Sequence, residues 1–553
     1  MTRIDQIADS YVDQWAALDP LGATYFGIAG HDDAMTDYTP DGFEARVELD
    51  RRTLAALADI TPQDERERAA AESMTERLGL TLEQHEAGML TSALNVVDSP
   101  LQSIQSVFDL MPIEGEAAVA AIAKRLAKVP EALAGYRESL RASAAAGRVA
   151  AQRQVRECAK QCADWTDPER DDVFRKLAAR LDADGPLRTE LDRAAQAATD
   201  ALAEFGRFLT EELLPQAPAK DAAGRERYAL ASRYFLGATI DFEETYAWGW
   251  DELNRIETEM RQVARQIVPS GSIHDAITAL DADPKRRIGS KEAFRDWMQQ
   301  LADTAIAELH GTHFDIPEPV RRIECCIAPT STGGIYYTGP SEDFTRPGRM
   351  WWSVPRETTS FATWRETTTV YHEGVPGHHL QIGQMAYRSE VLNRWQRLMC
   401  WVSGSGEGWA LYAERLMADL GYLDDPGDRL GMLAAQAFRA TRVILDIGMH
   451  LELEIPAGTG FHEGERWTPE LGWEFLLAHG YMDEPTLRYE LNRYLGWPGQ
   501  APAYKVGERI WLAAREAAKQ RKGSAFDLKE FHQKALDLGS IGLDPLQRAL
   551  ERL

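Results

Sequence analysis

Apolar residues recur at helical intervals along most of the chain. Ile4, Ile7, Tyr11 and Trp15 are spaced three to four apart, which predicts a helix over 3–18 that Asp19-Pro20 stops. From about 44 to 215 the pattern stays helical and is rich in Ala, Leu, Glu and Arg, residues of high helix propensity, with few turn signals between them. Within that region 117–128 and 131–153 read as separate helices, because Val129-Pro130 should interrupt the hydrogen-bond ladder. No fixed-period repeat is evident, so a solenoid is not predicted. Leu214-Pro215-Gln216-Ala217-Pro218 and the Lys220–Gly224 stretch read as a linker. It divides an N-terminal helical region, 1–225, from a second region, 226–553, and the two are expected to form one compact body.

Beyond Tyr228 aromatic residues and glycine become more frequent. A long helix is predicted over 241–268, ended by Pro269-Ser270-Gly271. Short runs of β-formers with turn residues between them mark 321–354, notably Ile323–Ile327 and Gly334–Tyr337. The stretch Gly333-Gly334-Ile335-Tyr336-Tyr337 could line a substrate site as an edge strand, with Tyr336 touching the ligand. At 361–373, Phe361, Trp364, Thr368 and Tyr371 follow a helical course that buries one face. The β-branched run Thr367–Val370 is a poor helix former, so packing must hold that helix.

Composition narrows the classes. The 553 residues carry 61 Lys and Arg against 87 Asp and Glu, a net charge of −26 and a pI near 5.0. Such a surface repels phosphate backbones and anionic lipid, so neither nucleic acid nor membrane is an expected partner. A hydrophobic content of 44% with 15 Trp is enough for a substantial core. Cys158, Cys162, Cys325, Cys326 and Cys400 are odd in number and form no metal-type Cys-x-x-Cys pair, so reduced, mostly buried thiols are expected. The N-terminal stretch has no apolar signal region and no run approaches a membrane span, which points to the cytoplasm.

The densest chemistry lies in Tyr371-His372-Glu373-Gly374-Val375-Pro376-Gly377-His378-His379-Leu380-Gln381. A catalytic zinc site needs neutral imidazole nitrogens and a carboxylate beside an activated water. The usual H-E-x-x-H places two histidines on one helical face, but here the spacing is longer. His378 follows His372 by six residues and rotates to the far side of a regular helix. His379 returns to the same face about 10 Å along the axis. Gly374, Pro376 and Gly377 can produce a bulge that brings a later histidine back beside His372. Further on, Glu407 and Glu414 are seven apart and share one helical face. In the apolar helix around 438–450, Arg439, Arg442, Asp446 and His450 form a polar stripe. Buried charges need partners, so Arg442–Asp446 and Asp446–His450 are expected pairs, and His450 is a candidate oxyanion donor.

The stretch H-E-G-V-P-G-H-H-L-Q resembles the signature of the DUF885 family, uncharacterised proteins similar to gluzincin-type zinc metallopeptidases. Gly406–Glu414 resembles it closely. Residues 436–450 and Asn492–Gly507, the latter with an R-Y…P-G-Q-A…Y-K-x-G pattern, do so moderately. The resemblance implies Glu407 as third ligand, with Glu414 orienting a histidine NH. It implies His378 as second ligand, since the family pattern runs H-E-x-x-P-G-H, and leaves His379 in a supporting place. The reading is a mainly α protein, a helical metallopeptidase-like body around a deep cleft with a small β-element on its wall. One Zn2+ per chain would sit on His372, His378 and Glu407, with Glu373 as general base. Tyr494 or His450 would donate to the oxyanion, while Gln500, Tyr504 and Lys505 would hold substrate. The expected activity is that of a carboxypeptidase or dipeptidyl carboxypeptidase on short peptides. An amidase of a small metabolite and an inactive metal-binding interaction protein are the alternatives, and a homodimer is possible.

Overall fold

The computed structural model describes residues 2–328, 334–355 and 358–552. Helices dominate, and among these residues strands are confined to short segments from Arg287 onward. The chain forms two compact units, with the boundary between Asp221 and Ala222.

The N-terminal unit is helical. Its first helix, Arg3–Leu18, begins at a capping box in which Thr2 and Asp5 satisfy each other's backbone N–H groups. It ends at Asp19, whose carboxylate then accepts from Gly22 N–H to start the next turn. The expected break at Pro130 does not occur: one helix runs from Glu116 to Ala145 with Pro130 inside it. Val119, Ile122, Leu126, Val129, Leu133 and Tyr136 form a continuous buried stripe on both sides of the proline. That stripe packs on the Gly185–Phe208 helix, where Tyr136 stacks on Phe205 at 5.3 Å. Burial of several large side chains outweighs the roughly 3 kcal/mol that an interior proline costs. Cys158 and Cys162 lie in the core of the Gln152–Thr166 helix as free thiols.

The second unit is built around the Pro426–Leu451 helix, which is buried on nearly every side. It packs against the Phe242–Ile267 and Thr363–Glu373 helices. The crossing with the latter is so close that a Cβ on Gly431 would lie 2.0 Å from the Trp364 carbonyl oxygen. Phe361 is not helical, contrary to its predicted place. Phe361–Ala362 pairs antiparallel with Arg287–Ile288, and Phe361 stacks face to face on Phe294 at 4.3 Å. A three-stranded sheet has the Gly348–Trp352 strand in the middle, parallel to Ile323–Ile327 and antiparallel to Ile335–Thr338. Ile335–Thr338 is therefore an edge strand, with Tyr336 opposite Trp351 and stacked on it. Gly333 of the predicted edge stretch lies outside the described residues.

Candidate metal centre

The Thr363–Glu373 helix carries His372 and Glu373 in its last turn, and a new helix, His378–Tyr387, begins almost at once. The connecting Val375–Pro376 bond is cis. Gly377 N–H donates to Tyr371 O at 3.0 Å and His379 N–H to Gly374 O at 3.1 Å, which folds the segment back on itself. Gly377 is obligatory there, because a Cβ would stand 1.9 Å from the His372 carbonyl oxygen. Trp409 Nε1 donates to Pro376 O at 2.8 Å, tying the turn to the Ser403–Asp419 helix that carries Glu407 and Glu414. His378 is thereby brought beside His372, their rings nearly perpendicular with centroids 4.8 Å apart.

Glu407 Oε2 lies 3.5 Å from His372 Nε2 and 3.3 Å from His378 Nε2. Donor atoms of the three residues all fall within 4.8 Å of one another. Zinc–nitrogen and zinc–oxygen bonds of about 2.1 Å place tetrahedral ligand atoms roughly 3.4 Å apart, so the spacing around Glu407 suits one small divalent ion. On its other side the His372 ring is fixed by Glu414, whose Oε1 is 2.8 Å from Nδ1 and whose Oε2 accepts from Thr368 at 2.6 Å. Both carboxylates predicted to share a face do so, one at each nitrogen of His372. Burial alone would push His372 down, but Glu407 and Glu414 raise it to about 10. Burial also opposes ionisation of Glu407, yet His378 and His372 hold its carboxyl well below the usual range. Two imidazoles and a carboxylate are residue types that can ligate a divalent ion.

His379 cannot share in this. Its Nδ1 is 2.8 Å from the Tyr337 hydroxyl and its Nε2 is 2.7 Å from the Val320 carbonyl, so Nε2–H donates and Nδ1 accepts. Glu373 is buried beside the cluster, and burial raises its pKa against the pull of His378 and His372. Its Oε2 has no hydrogen-bond partner. A carboxylate with one such open oxygen beside the three ligand-type residues is of the kind that can serve as a proton acceptor.

The C-terminal candidates form a wall against His372. Tyr504 stacks on the His372 ring at 6.3 Å, and its hydroxyl accepts from Arg493 at 3.2 Å. Gln500 accepts from the same guanidinium at 2.8 Å. Arg442 bonds Tyr494 at 3.0 Å and Glu490 at 2.9 Å. The predicted Arg442–Asp446 pair is replaced by Arg442–Glu490, because Asp446 turns away to accept from Tyr228 and the Gly499 N–H. Burial pushes Asp446 up to about 7.

Three residues expected to meet substrate are engaged inside the protein instead. His450 accepts from Ala223 N–H at 3.1 Å and donates to Tyr494 O at 2.9 Å, so neither nitrogen is left for an oxyanion. Its nearest Asp446 oxygen is 3.9 Å away, too far for the hydrogen bond expected of that pair. Tyr494 is wholly buried under Arg442. Lys505 is 1% exposed and bonds Gln436, Glu252 and Glu508, so its charge is already neutralised. Helical periodicity placed His450 on a face, and the family resemblance singled out Tyr494 and Lys505, but neither could say which groups from other helices would meet them.

Trp401, which packs on His378 at 5.7 Å, and the Tyr337–Val320 brace of His379 were not anticipated. Neither has a local signature. Thr368 could have been found, since it lies one turn before His372 on the same face.

The family model described as "Bacterial protein of unknown function (DUF885)" matches residues 20–550. The chain belongs to DUF885. Among curated proteins none matches it. Two solved structures share the DUF885 chain's fold. One, from Colwellia psychrerythraea and described as a "putative lipoprotein", is 24% identical with a TM-score of 0.85, covering 100% of this chain and 99% of its own. The other, a "putative lipoprotein of unknown function" from Shewanella oneidensis, is 17% identical with a TM-score of 0.70, covering 99% of each chain. In the DUF885 chain, no helix of the described residues is long and apolar enough to cross a membrane.

Proposed function

We propose that this DUF885 protein is a zinc-dependent hydrolase of peptide bonds that trims short peptides from the carboxyl end. The observation that carries the reading is the arrangement about His372, with Glu407 and His378 converging on one side, Glu414 bracing the other, and Glu373 adjacent with its Oε2 unpartnered among the described residues. His372, His378 and Glu407 would hold the ion, which when bound acidifies water and polarises a carbonyl. Glu373 takes the proton from the attacking water and passes it to the leaving amine. Thr368 and Glu414 keep the His372 ring in the tautomer that presents Nε2 to the site. The edge strand Ile335–Thr338 offers backbone groups to an extended peptide, and the charge of −26 supports a substrate other than nucleic acid.

The test is digestion of a mixed peptide library by zinc-loaded protein, read by mass spectrometry, beside chelator-treated protein and the Glu373→Gln variant. Products shortened from the C-terminus, lost in both controls, are expected. Hydrolysis of small acylated amides with no peptide turnover would replace the reading with that of an amidase. Tight metal binding with no hydrolysis of either class would reduce the protein to a metal-binding interaction partner.

A further inference from the structure

Three guanidinium groups surround Tyr504, the ring that stacks on His372. Arg442 lies 4.6 Å and Arg439 5.9 Å from the ring centroid, and Arg493 bonds its hydroxyl. Two of the three are neutralised by a single carboxylate: Glu490 takes Arg442 at 2.9 Å and Arg493 at 3.2 Å. Both its oxygens are thus engaged. Burial works against its charge, but the two arginines bring its pKa down to about 2.

Arg439 is different. It is half-buried on the Pro426–Leu451 helix, one turn before Arg442. Among the described residues its hydrogen bonding is limited to a 3.3 Å contact with the Ala435 carbonyl of its own helix; its buried Nε has no partner, as is true of Arg442 Nη1 and Arg493 Nε, but unlike them it makes no ion pair. Its charge reaches Glu373, Glu414 and Glu490 and favours the ionised form of each, although burial still leaves Glu373 raised. Glu414, however, is already committed to His372 and Thr368. A half-buried guanidinium that makes no ion-pair contact among the described residues, on the aromatic wall of a site, can receive an anion. Lys505, which the family resemblance offered as a substrate-holding residue, is closed off by Glu252 and Glu508.

We propose that Arg439 anchors a carboxylate of the substrate beside His372 and Glu373. This rests on the hydrolase reading above, under which that group is the C-terminal carboxylate of the peptide. Arg439 then fixes which end of the peptide enters, and so the polarity of cleavage. The fork of a guanidinium matches a carboxylate in two hydrogen bonds, whereas an amide offers one acceptor and no charge.

The experiment uses the full-length Glu373→Gln protein, zinc-loaded, so that binding is read without turnover. It is mixed with an equimolar library of N-acetylated tetrapeptides, each present as free acid and as C-terminal amide, and retained peptides are counted by ultrafiltration and mass spectrometry. Retention of acids over amides by about tenfold or more is expected. Adding Arg439→Gln should erase the difference, and Arg439→Lys should restore part of it. Both variants must keep the zinc content and melting temperature of the parent; if Arg439→Gln does not, Arg439→Lys against the parent decides alone. Equal retention of acids and amides, no retention, or a preference untouched at position 439 overturns the proposal. So does equal weakening of both series, which would make Arg439 a counter-ion of Glu373 only. If acids are preferred through Arg439 but the wild-type protein cleaves no peptide, the anchor stands and the hydrolase reading falls.

Discussion

Arg125 in the N-terminal unit and His372 in the second unit are both buried basic side chains, and their surroundings differ in kind. Arg125 is completely enclosed, and its guanidinium donates to the carbonyls of Ala34, His31 and Pro20 and to the Thr24 hydroxyl. Four of its five N–H groups are thus used. Burial lowers its pKa to about 10, partly offset by Asp32 and Asp33. His372 is satisfied at Nδ1 by Glu414, while Nε2 faces Glu407 and His378 across a gap suited to a cation. Around it Glu373 Oε2 and His378 Nδ1 have no partners. A buried cation whose hydrogen bonds are nearly all met within the protein supports a fold, whereas a half-satisfied cluster costs stability and is a candidate for function.

The largest effect should come from opening that cluster. His372→Ala or Glu407→Ala is expected to remove the roughly one bound divalent ion per chain and, under the proposed function, to lower kcat/KM by at least about a thousandfold. Elemental analysis and peptide assays would show it, and full metal content in both variants would dissolve the contrast with Arg125. His379→Ala should act oppositely, keeping the metal. The protein should lose about 3 kcal/mol in urea unfolding, because Val320 O and Tyr337 OH are left unpaired beside a cavity. Loss of metal with unchanged stability would transfer the ligand role to His379.

Arg125→Met sharpens the other side. It leaves four acceptors without their donor and should destabilise the N-terminal unit by about 3 kcal/mol, with metal content and activity per folded molecule unchanged. The smallest effect concerns Asp50, which accepts from Tyr11 at 2.8 Å in the same unit. Burial raises its pKa to about 6, with Tyr11 and Arg46 pulling the other way. A carboxyl that holds its proton more tightly when folded stabilises at low pH and loses that contribution as pH rises through the folded value. Between pH 5 and 7 the loss should be about 1 kcal/mol. Asp50→Asn should flatten this part of the stability profile, and an identical slope in wild type and variant would disprove the assignment.

Local pattern determined much of this protein. The first helix, the mainly α class, the Phe242–Ile267 helix, the short strands and the residues of the H-E…H-H motif were legible because each rests on periodicity, caps or turn residues within a few positions. So was the shared face of Glu407 and Glu414. Tertiary structure decided what those residues do. The helix continues through Pro130 because a stripe on both sides of it is buried against another helix. Of the two adjacent histidines, His379 is withdrawn by Val320 and Tyr337, groups distant in sequence. Of the basic residues near the site, Lys505 is cancelled by Glu252 on a helix far earlier in the chain, and Arg439 is left open. A side chain's type and its face are local properties. Whether its hydrogen bonds and charge are already satisfied depends on groups brought from elsewhere by packing, and that satisfaction separates a structural residue from a functional one.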